Sequence, residues 1–294
     1  MMQFYNPIDS PFVPYVYPEI IKLLESGPGS VDWDNRHVIL DSFRAECKNW
    51  LENGTKTKIQ NLNNFNYCYM LYGGTQYITD MPKFERRTVE IHKDEYSAYQ
   101  KTLELYNMPH VVFNDFDDMG RDSNNLVIVS YPFSYAGDHD DKIIDLLERS
   151  LAKIVLDSVF IGTNRFPIEL DFSKLHNIET FIFSYSKGFG LRYNRIGIMF
   201  TNMFVEEYDT YHSYAYHNLH GAQIARQVMN LFGLDYFTDH YGYLQDKACE
   251  QLGLRASGCI HIGIDPIAIM PDPRPSYYNP KRRITHLFDS FLPR

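Results

Sequence analysis

The hydrophobic pattern changes character twice along the chain. Over 18–25 and 36–51 apolar residues recur at helical spacing, and Ile39, Phe43, Cys47 and Trp50/Leu51 share one face. Pro18 opens the first of these helices, and Ser26-Gly27-Pro28-Gly29 stops it. From about residue 66 short apolar runs alternate with polar, helix-like stretches. Strands are predicted over 67–72, 87–92, 110–113, 125–131, 153–157, 180–185 and 197–201, and helices over 96–105 and 141–150. Helical spacing returns over 220–234 and 237–252. Short strands over 259–264 and 268–270 and a helical turn over 285–292 complete the pattern. Strands alternating with helices at this spacing predict an α/β fold. The expected architecture is a three-layer α/β/α domain with a mostly parallel central sheet, plus a small α+β C-terminal subdomain. The division is an N-terminal arm and helices over 1–50, a major domain over 51–205 and the small subdomain over 206–294. The opening residues hold Pro7, Pro11 and Pro14 among Phe12, Tyr15 and Tyr17, so they cannot form a long helix. An extended arm lying over the body or a partner subunit is expected.

Composition narrows the function classes. Net charge is −9, and the densest basic run is only Lys281-Arg282-Arg283, which excludes a phosphate-tracking stripe for nucleic acid. No apolar run reaches the ~20 residues of a membrane helix. The N-terminus, Met1 to Pro7, lacks the basic and apolar regions of a signal peptide. Cys47, Cys68, Cys249 and Cys259 form no C-x-x-C motif and read as reduced thiols, so a cytoplasmic protein is expected.

Candidate chemistry gathers at the strand ends, where doubly wound sheets collect functional groups. Lys187 stands in a short polar turn between the apolar runs 181–185 and 196–200. It is either a lysine in an exposed hairpin turn or a desolvated amine with a lowered pKa, ready to act as a nucleophile. Gly73-Gly74-Thr75 is either a plain turn or a set of free N–H groups offered to an anion at a helix start. Asp157 ends a very apolar strand, where a carboxylate needs a cationic partner, and it reads otherwise as an N-cap or a member of an internal ion pair. Asp138-His139-Asp140-Asp141 reads as a solvated loop and helix N-terminus rather than a metal site.

In this order, these features resemble the aspartate-aminotransferase-like group (fold type I, class I/II) of pyridoxal-phosphate enzymes. The likeness lies in Ser184-Tyr185-Ser186-Lys187-Gly188-Phe189-Gly190-Leu191-Arg192-Tyr193-Asn194-Arg195-Ile196-Gly197. It lies also in Asp157, Gly73-Gly74-Thr75-Gln76, Tyr96 and the stretch from Val129 to Gly137, and it covers about 66–201. The resemblance implies pyridoxal 5′-phosphate as cofactor and 51–205 as the domain that holds it. Lys187 would form an imine with the cofactor aldehyde and then act as general base. Asp157 would keep the pyridine nitrogen protonated. Ser184, Arg195, Gly73, Gly74 and Thr75 would hold the phosphate, Tyr96 would stack on the ring, and Ser134 would stand beside the ring oxygen. An amino acid or amine substrate, aminotransfer and a homodimer with its site at the interface are implied. A decarboxylase or lyase is the alternative reaction, and a non-catalytic binding protein the alternative outside enzymes.

Three departures accompany the resemblance. Ser134 stands where the family has asparagine, and Phe160 where it has tyrosine. His261 stands where an arginine usually binds the substrate carboxylate, with Arg255 and Arg274 as further candidates. His261 reads equally as a histidine satisfied inside the small subdomain.

Overall fold

A computed structural model describes residues 15–27, 29, 31–191, 193–265 and 281–292. Two helices come first, α1 (Pro18–Ser26) and α2 (Arg36–Glu52), and α2 buries the Ile39, Phe43, Cys47 and Trp50 face its spacing predicts. Strands and helices then alternate. They are β1 (Thr57–Gln60), β2 (Tyr67–Leu71), α3 (Gly74–Phe84), β3 (Val89–His92), α4 (Ser97–Leu105), β4 (His110–Phe113) and β5 (Leu126–Ser130). Next come α5 (Asp141–Arg149), β6 (Lys153–Asp157), β7 (Ile168–Asp171), β8 (Ile178–Ser184), the single turn α6 (Tyr185–Gly188) and β9 (Gly197–Thr201). The last part holds α7 (Glu206–Ser213), α8 (Leu219–Leu231), α9 (Tyr236–Leu252), β10 (Arg255–Ala256), β11 (Ile262–Ile264), β12 (Lys281–Arg283) and α10 (Phe288–Phe291).

Among the described residues, seven strands build the central sheet in the order β2-β9-β8-β6-β5-β3-β4. Only β9 runs antiparallel to its neighbours, β2 and β8; the other pairings are parallel. Side chains alternate between two hydrophobic layers, as the period of a strand requires. Val127, Val129, Ile154, Leu156, Phe181 and Phe183 pack with Phe43 of α2, Leu146 of α5 and Phe237 of α9. Leu126, Ile128, Val155, Ile182 and Met199 pack with Ile78 of α3, Leu103 of α4 and Tyr208 of α7. Helices thus cover both faces, and the inner strands β5 and β6 read as nearly continuous apolar runs for that reason.

The first layer also takes in Leu234, Ala248, Ile284 and Phe288, so early and late helices share one core with the sheet. β1 and β7 form a separate parallel pair that the hydrophobic pattern did not reveal, being four residues each with alternate positions exposed. The strand predicted over 259–264 shortens to β11, which pairs antiparallel with β10 and β12. Residues 259–262 form a turn instead, in which the Ile262 N–H donates to the Cys259 carbonyl at 3.0 Å, and Gln245 Nε2 lies 2.8–3.0 Å from the carbonyls of Ser257, Cys259 and Ile262. The strand predicted over 268–270 lies outside the described residues. Among the described residues no helix is long and apolar enough to cross a membrane.

Candidate active site

The carboxyl ends of β2, β5, β6 and β8 open together on a cavity of about 320 Å³. Lys187 enters it from α6, the turn directly after β8. Ser184 starts that turn by accepting the Ser186 N–H on its hydroxyl at 3.2 Å. Lys187 is enclosed by protein and keeps accessible surface where it lines the cavity, with its Nζ 5.9 Å from the centre of the Phe160 ring. Desolvation pushes its pKa down to about 8; the charge of Asp157 opposes the fall and Arg195 adds to it.

Asp157, at the end of β6, is buried. Its Oδ2 accepts from the Tyr99 hydroxyl at 2.8 Å and its Oδ1 from the Val159 N–H at 3.1 Å. Burial pushes the carboxyl up to about 6; the Tyr99 bond resists the rise and the nearby Glu95 charge adds to it. The acid therefore remains mostly ionised at neutral pH, beside a lysine that is partly neutral.

Another part of the cavity wall suits an anion. Gly73 precedes α3 with φ at 78°, a conformation that favours glycine. A Cβ there would come within 3.0 Å of the Arg195 guanidinium, so the missing side chain lets that group lie against the backbone. Arg195 holds φ at 49°, unusual for a residue with a side chain, and its Nη2 donates to the Tyr72 carbonyl at 2.9 Å. Gly74 and Thr75 line the cavity in the first turn of α3, where N–H groups lack intrahelical partners. Ser186 lines it as well, and its Oγ is buried and without a partner among the described residues. A guanidinium, a helix start and an orphaned hydroxyl make an anion cradle.

No protein-family model matches the sequence, and no curated protein matches it. Solved structures do match in fold. An aminotransferase from Staphylococcus aureus superposes with a TM-score of 0.65 at 13% identity, over 99% of this chain and 95% of that one. The N-succinyldiaminopimelate aminotransferase of Mycobacterium tuberculosis gives 0.65 at 10% identity, over 96% and 90%. A PLP-bound C-S lyase from Staphylococcus hominis gives 0.53 at 12% identity, over 83% and 69%. The fold is that of the aspartate-aminotransferase-like structures.

On this aminotransferase fold, the residues expected at the cofactor converge: Gly74, Thr75, Tyr96, Ser134, Asp157, Ser184, Lys187 and Arg195 all line the cavity, with Gly73 packed behind Arg195. Two residues expected at the substrate do not line it. His261 is buried with its Nε2 2.8 Å from the Tyr17 hydroxyl, and burial pushes its pKa down to about 3, with the charge of Lys187 adding to the fall. Arg255 is exposed and paired with Asp138 at 2.8 Å. Arg274 lies outside the described residues. The Asp138-to-Asp141 stretch is spent locally. Asp138 accepts the Gly258 N–H at 2.6 Å, Asp140 caps α5, and His139 bridges Tyr131 and Asp141. Tyr99, Glu95, Ser130 and Ser186 are site residues that sequence reading missed. Tyr99 had a signal, standing three positions after Tyr96 and so on the same helical face. Glu95 had none, since an acid just before a helix is ordinary.

Proposed function

We propose that this protein is a pyridoxal 5′-phosphate-dependent enzyme acting on an amino acid or amine, with aminotransfer as the reaction the site supports best. The observation that carries this reading is the joint placement of Lys187, Asp157 and the Arg195–Ser186–Gly74 cradle around one cavity at the strand ends. The cavity fits the cofactor on its own evidence: an orphaned Ser186 hydroxyl and a glycine that makes room for a guanidinium both suit a phosphate. When bound, the cofactor supplies an aldehyde that takes up an amine and a ring that draws electrons from it. Arg195, Ser184, Ser186 and the first amides of α3 hold the dianion. Asp157, oriented by Tyr99 and the Val159 N–H, holds a proton at the ring nitrogen. Lys187 Nζ, neutral in roughly a tenth of molecules at pH 7 from its lowered pKa, is the amine that anchors the aldehyde and the base that moves a proton at the substrate Cα. Phe160, Val159 and Ile78 give the cavity apolar lining, and the Phe160 ring centre stands 5.9 Å from Lys187 Nζ.

Decarboxylation or elimination is the second reading. Among the described residues, the lysines and arginines lining the cavity are Lys187 and Arg195, and both have tasks other than binding a substrate carboxylate. A homodimer with the site at its interface is supported by Tyr193, 80% exposed beside the cavity. A cytoplasmic location suits the free thiols of Cys47, Cys68, Cys249 and Cys259. The deciding experiment is borohydride trapping with pyridoxal phosphate, followed by peptide mass mapping and a panel of amino acids assayed for keto acid and for carbon dioxide. Label on Lys187 with keto acid release that needs a second keto acid as amino acceptor supports aminotransfer, whereas carbon dioxide release, or keto acid release with free ammonia, supports the second reading. No label on Lys187 would reject both.

A further inference from the structure

Arg195 reaches the anion cradle from an unusual backbone. Its φ of 49° lies in the left-handed region that residues with side chains rarely adopt. Such a conformation persists only where the surroundings over-determine it. Here the surroundings are the start of α8, a helix to which the chemistry above gives no role.

Asn218 stands at that start. Its Oδ1 accepts the Gly221 N–H at 2.9 Å, an N-cap bond. Its Nδ2 donates to the Asn194 carbonyl. That carbonyl belongs to the planar peptide group that joins Asn194 to Arg195, so the tie fixes the plane from which φ of Arg195 is measured. On the other side of Arg195, Ile196 packs where Gly221 leaves room. A Cβ on Gly221 would come within 2.7 Å of the Ile196 side chain and 2.6 Å of Asn218 Nδ2. The residues before and after Arg195 are thus both seated on the first turn of α8. A third contact closes the frame. Arg195 Nη2 donates to the Tyr72 carbonyl at 2.9 Å, and the Tyr72 hydroxyl donates to the carbonyl of Tyr216, just before Asn218, at 3.0 Å.

A carboxamide suits this place because it carries an acceptor and a donor together. The cap needs only the oxygen; the nitrogen is what reaches Asn194. An N–H on one side and a carbonyl on the other also decide which way the amide points.

We propose that Asn218 is a positioning residue for anion binding: from the start of α8 it locks the left-handed backbone of Arg195 and so holds the guanidinium against Gly73, in the wall of the cavity that takes a phosphate monoester. The proposal rests on the pyridoxal-phosphate reading above. Without the tie, residue 195 turns to a commoner φ and the guanidinium leaves the Gly73 backbone. The loss then falls on the phosphate and spares the rest of the ligand.

The test uses the full chain with two probes. Pyridoxine 5′-phosphate has no aldehyde and so cannot bond to Lys187, and pyridoxine lacks the phosphate as well. Asn218→Ser keeps an oxygen for the cap and removes the amide nitrogen. Affinity for pyridoxine 5′-phosphate, read by fluorescence titration, should fall roughly tenfold as the strained φ relaxes. Affinity for pyridoxine should stay within about twofold, and Asn218→Ser should add no further loss in an Arg195→Ala background. Gly221→Ala favours the helix yet crowds the Asn218 amide and Ile196, so it should repeat the loss, and it carries the test if Asn218→Ser does not fold. Unchanged affinity for pyridoxine 5′-phosphate in Asn218→Ser overturns the proposal. So does an equal loss for both probes, or the same loss with Arg195 already removed, because either marks a merely structural residue. If Arg195→Ala alone binds pyridoxine 5′-phosphate as the wild type does while Lys187 is still trapped by borohydride, the proposal falls and the cofactor reading stands. Neither binding of pyridoxine 5′-phosphate nor trapping of Lys187 would overturn both.

Discussion

Lys187 and His261 are both basic groups set deep in protein, and burial lowers the pKa of both, to about 8 and about 3. The consequences are opposite. Lys187 opens onto a cavity that also holds Asp157 and Arg195, so its neutral amine can meet a ligand. His261 is closed in by Tyr17 and by the Phe288 ring, and its shift only keeps it uncharged. A perturbed pKa marks chemistry where a cavity gives access to the group, and marks packing where it does not.

The sharpest way to break this contrast is Lys187→Ala. Trapping of pyridoxal phosphate should vanish and any turnover should fall by roughly 10²- to 10⁴-fold. In the wild type the initial trapping rate should climb about tenfold per pH unit and level off near pH 8, in step with the lowered pKa. A midpoint near 10 would mean that Lys187 is an ordinary exposed amine.

Gly73→Ala comes next. The new Cβ meets the Arg195 guanidinium and strains a positive φ, so affinity for pyridoxal phosphate should fall roughly tenfold, about 1.4 kcal/mol. Fluorescence titration checks this, and unchanged affinity would remove Arg195 from the cradle.

His261→Phe should act on stability against pH. Between pH 6.5 and about 3 the unfolded chain takes up a proton that folded His261 refuses, so the wild type loses stability as pH falls through that window. Asp157 works the other way: folded, it binds its proton up to about pH 6, so between its ordinary 3.8 and that value its contribution declines as pH rises. Thermal melts of the variant should therefore lose the acid-side decline due to His261, with trapping of Lys187 retained. A Tm profile with the same pH dependence as the wild type would show that folding does not shift the titration of His261.

The smallest effect is expected of Arg255→Ala. Its pair with Asp138 is exposed, so stability should change by less than about 1 kcal/mol, and affinity for amino acids should be unchanged. A tenfold rise in KM for an amino acid with kcat unchanged would return Arg255 to the substrate site.

Much of the cofactor side was legible because it is built from local patterns. The runs ending at Leu71, Asp157 and Ser184 are apolar on both faces, and parallel strands of this kind carry the residues after their carboxyl ends to one edge of the sheet. The helix α7 escaped notice because its apolar stripe is weak: of its eight residues only Tyr208 is buried. The Tyr99–Asp157 bond joins residues 58 positions apart, and the Glu95–Ser134 bond residues 39 apart. Neither has a spacing that periodicity can see. Phe160 and Ser134 were legible as substitutions, whereas the acid that accepts from the Ser134 hydroxyl comes from another loop.

Strand identity, the order of the candidate groups and the glycine before α3 come from the chain alone, because hydrophobic period and backbone freedom are properties of neighbouring residues. Access and orientation came only with the tertiary structure. Packing turned Lys187 toward the cavity and His261 toward Tyr17, drew Arg255 away to Asp138, and bonded Glu95 to Ser134. Burial, charge and hydrogen bonding act through space, and the residues that decide them here come from distant parts of the sequence.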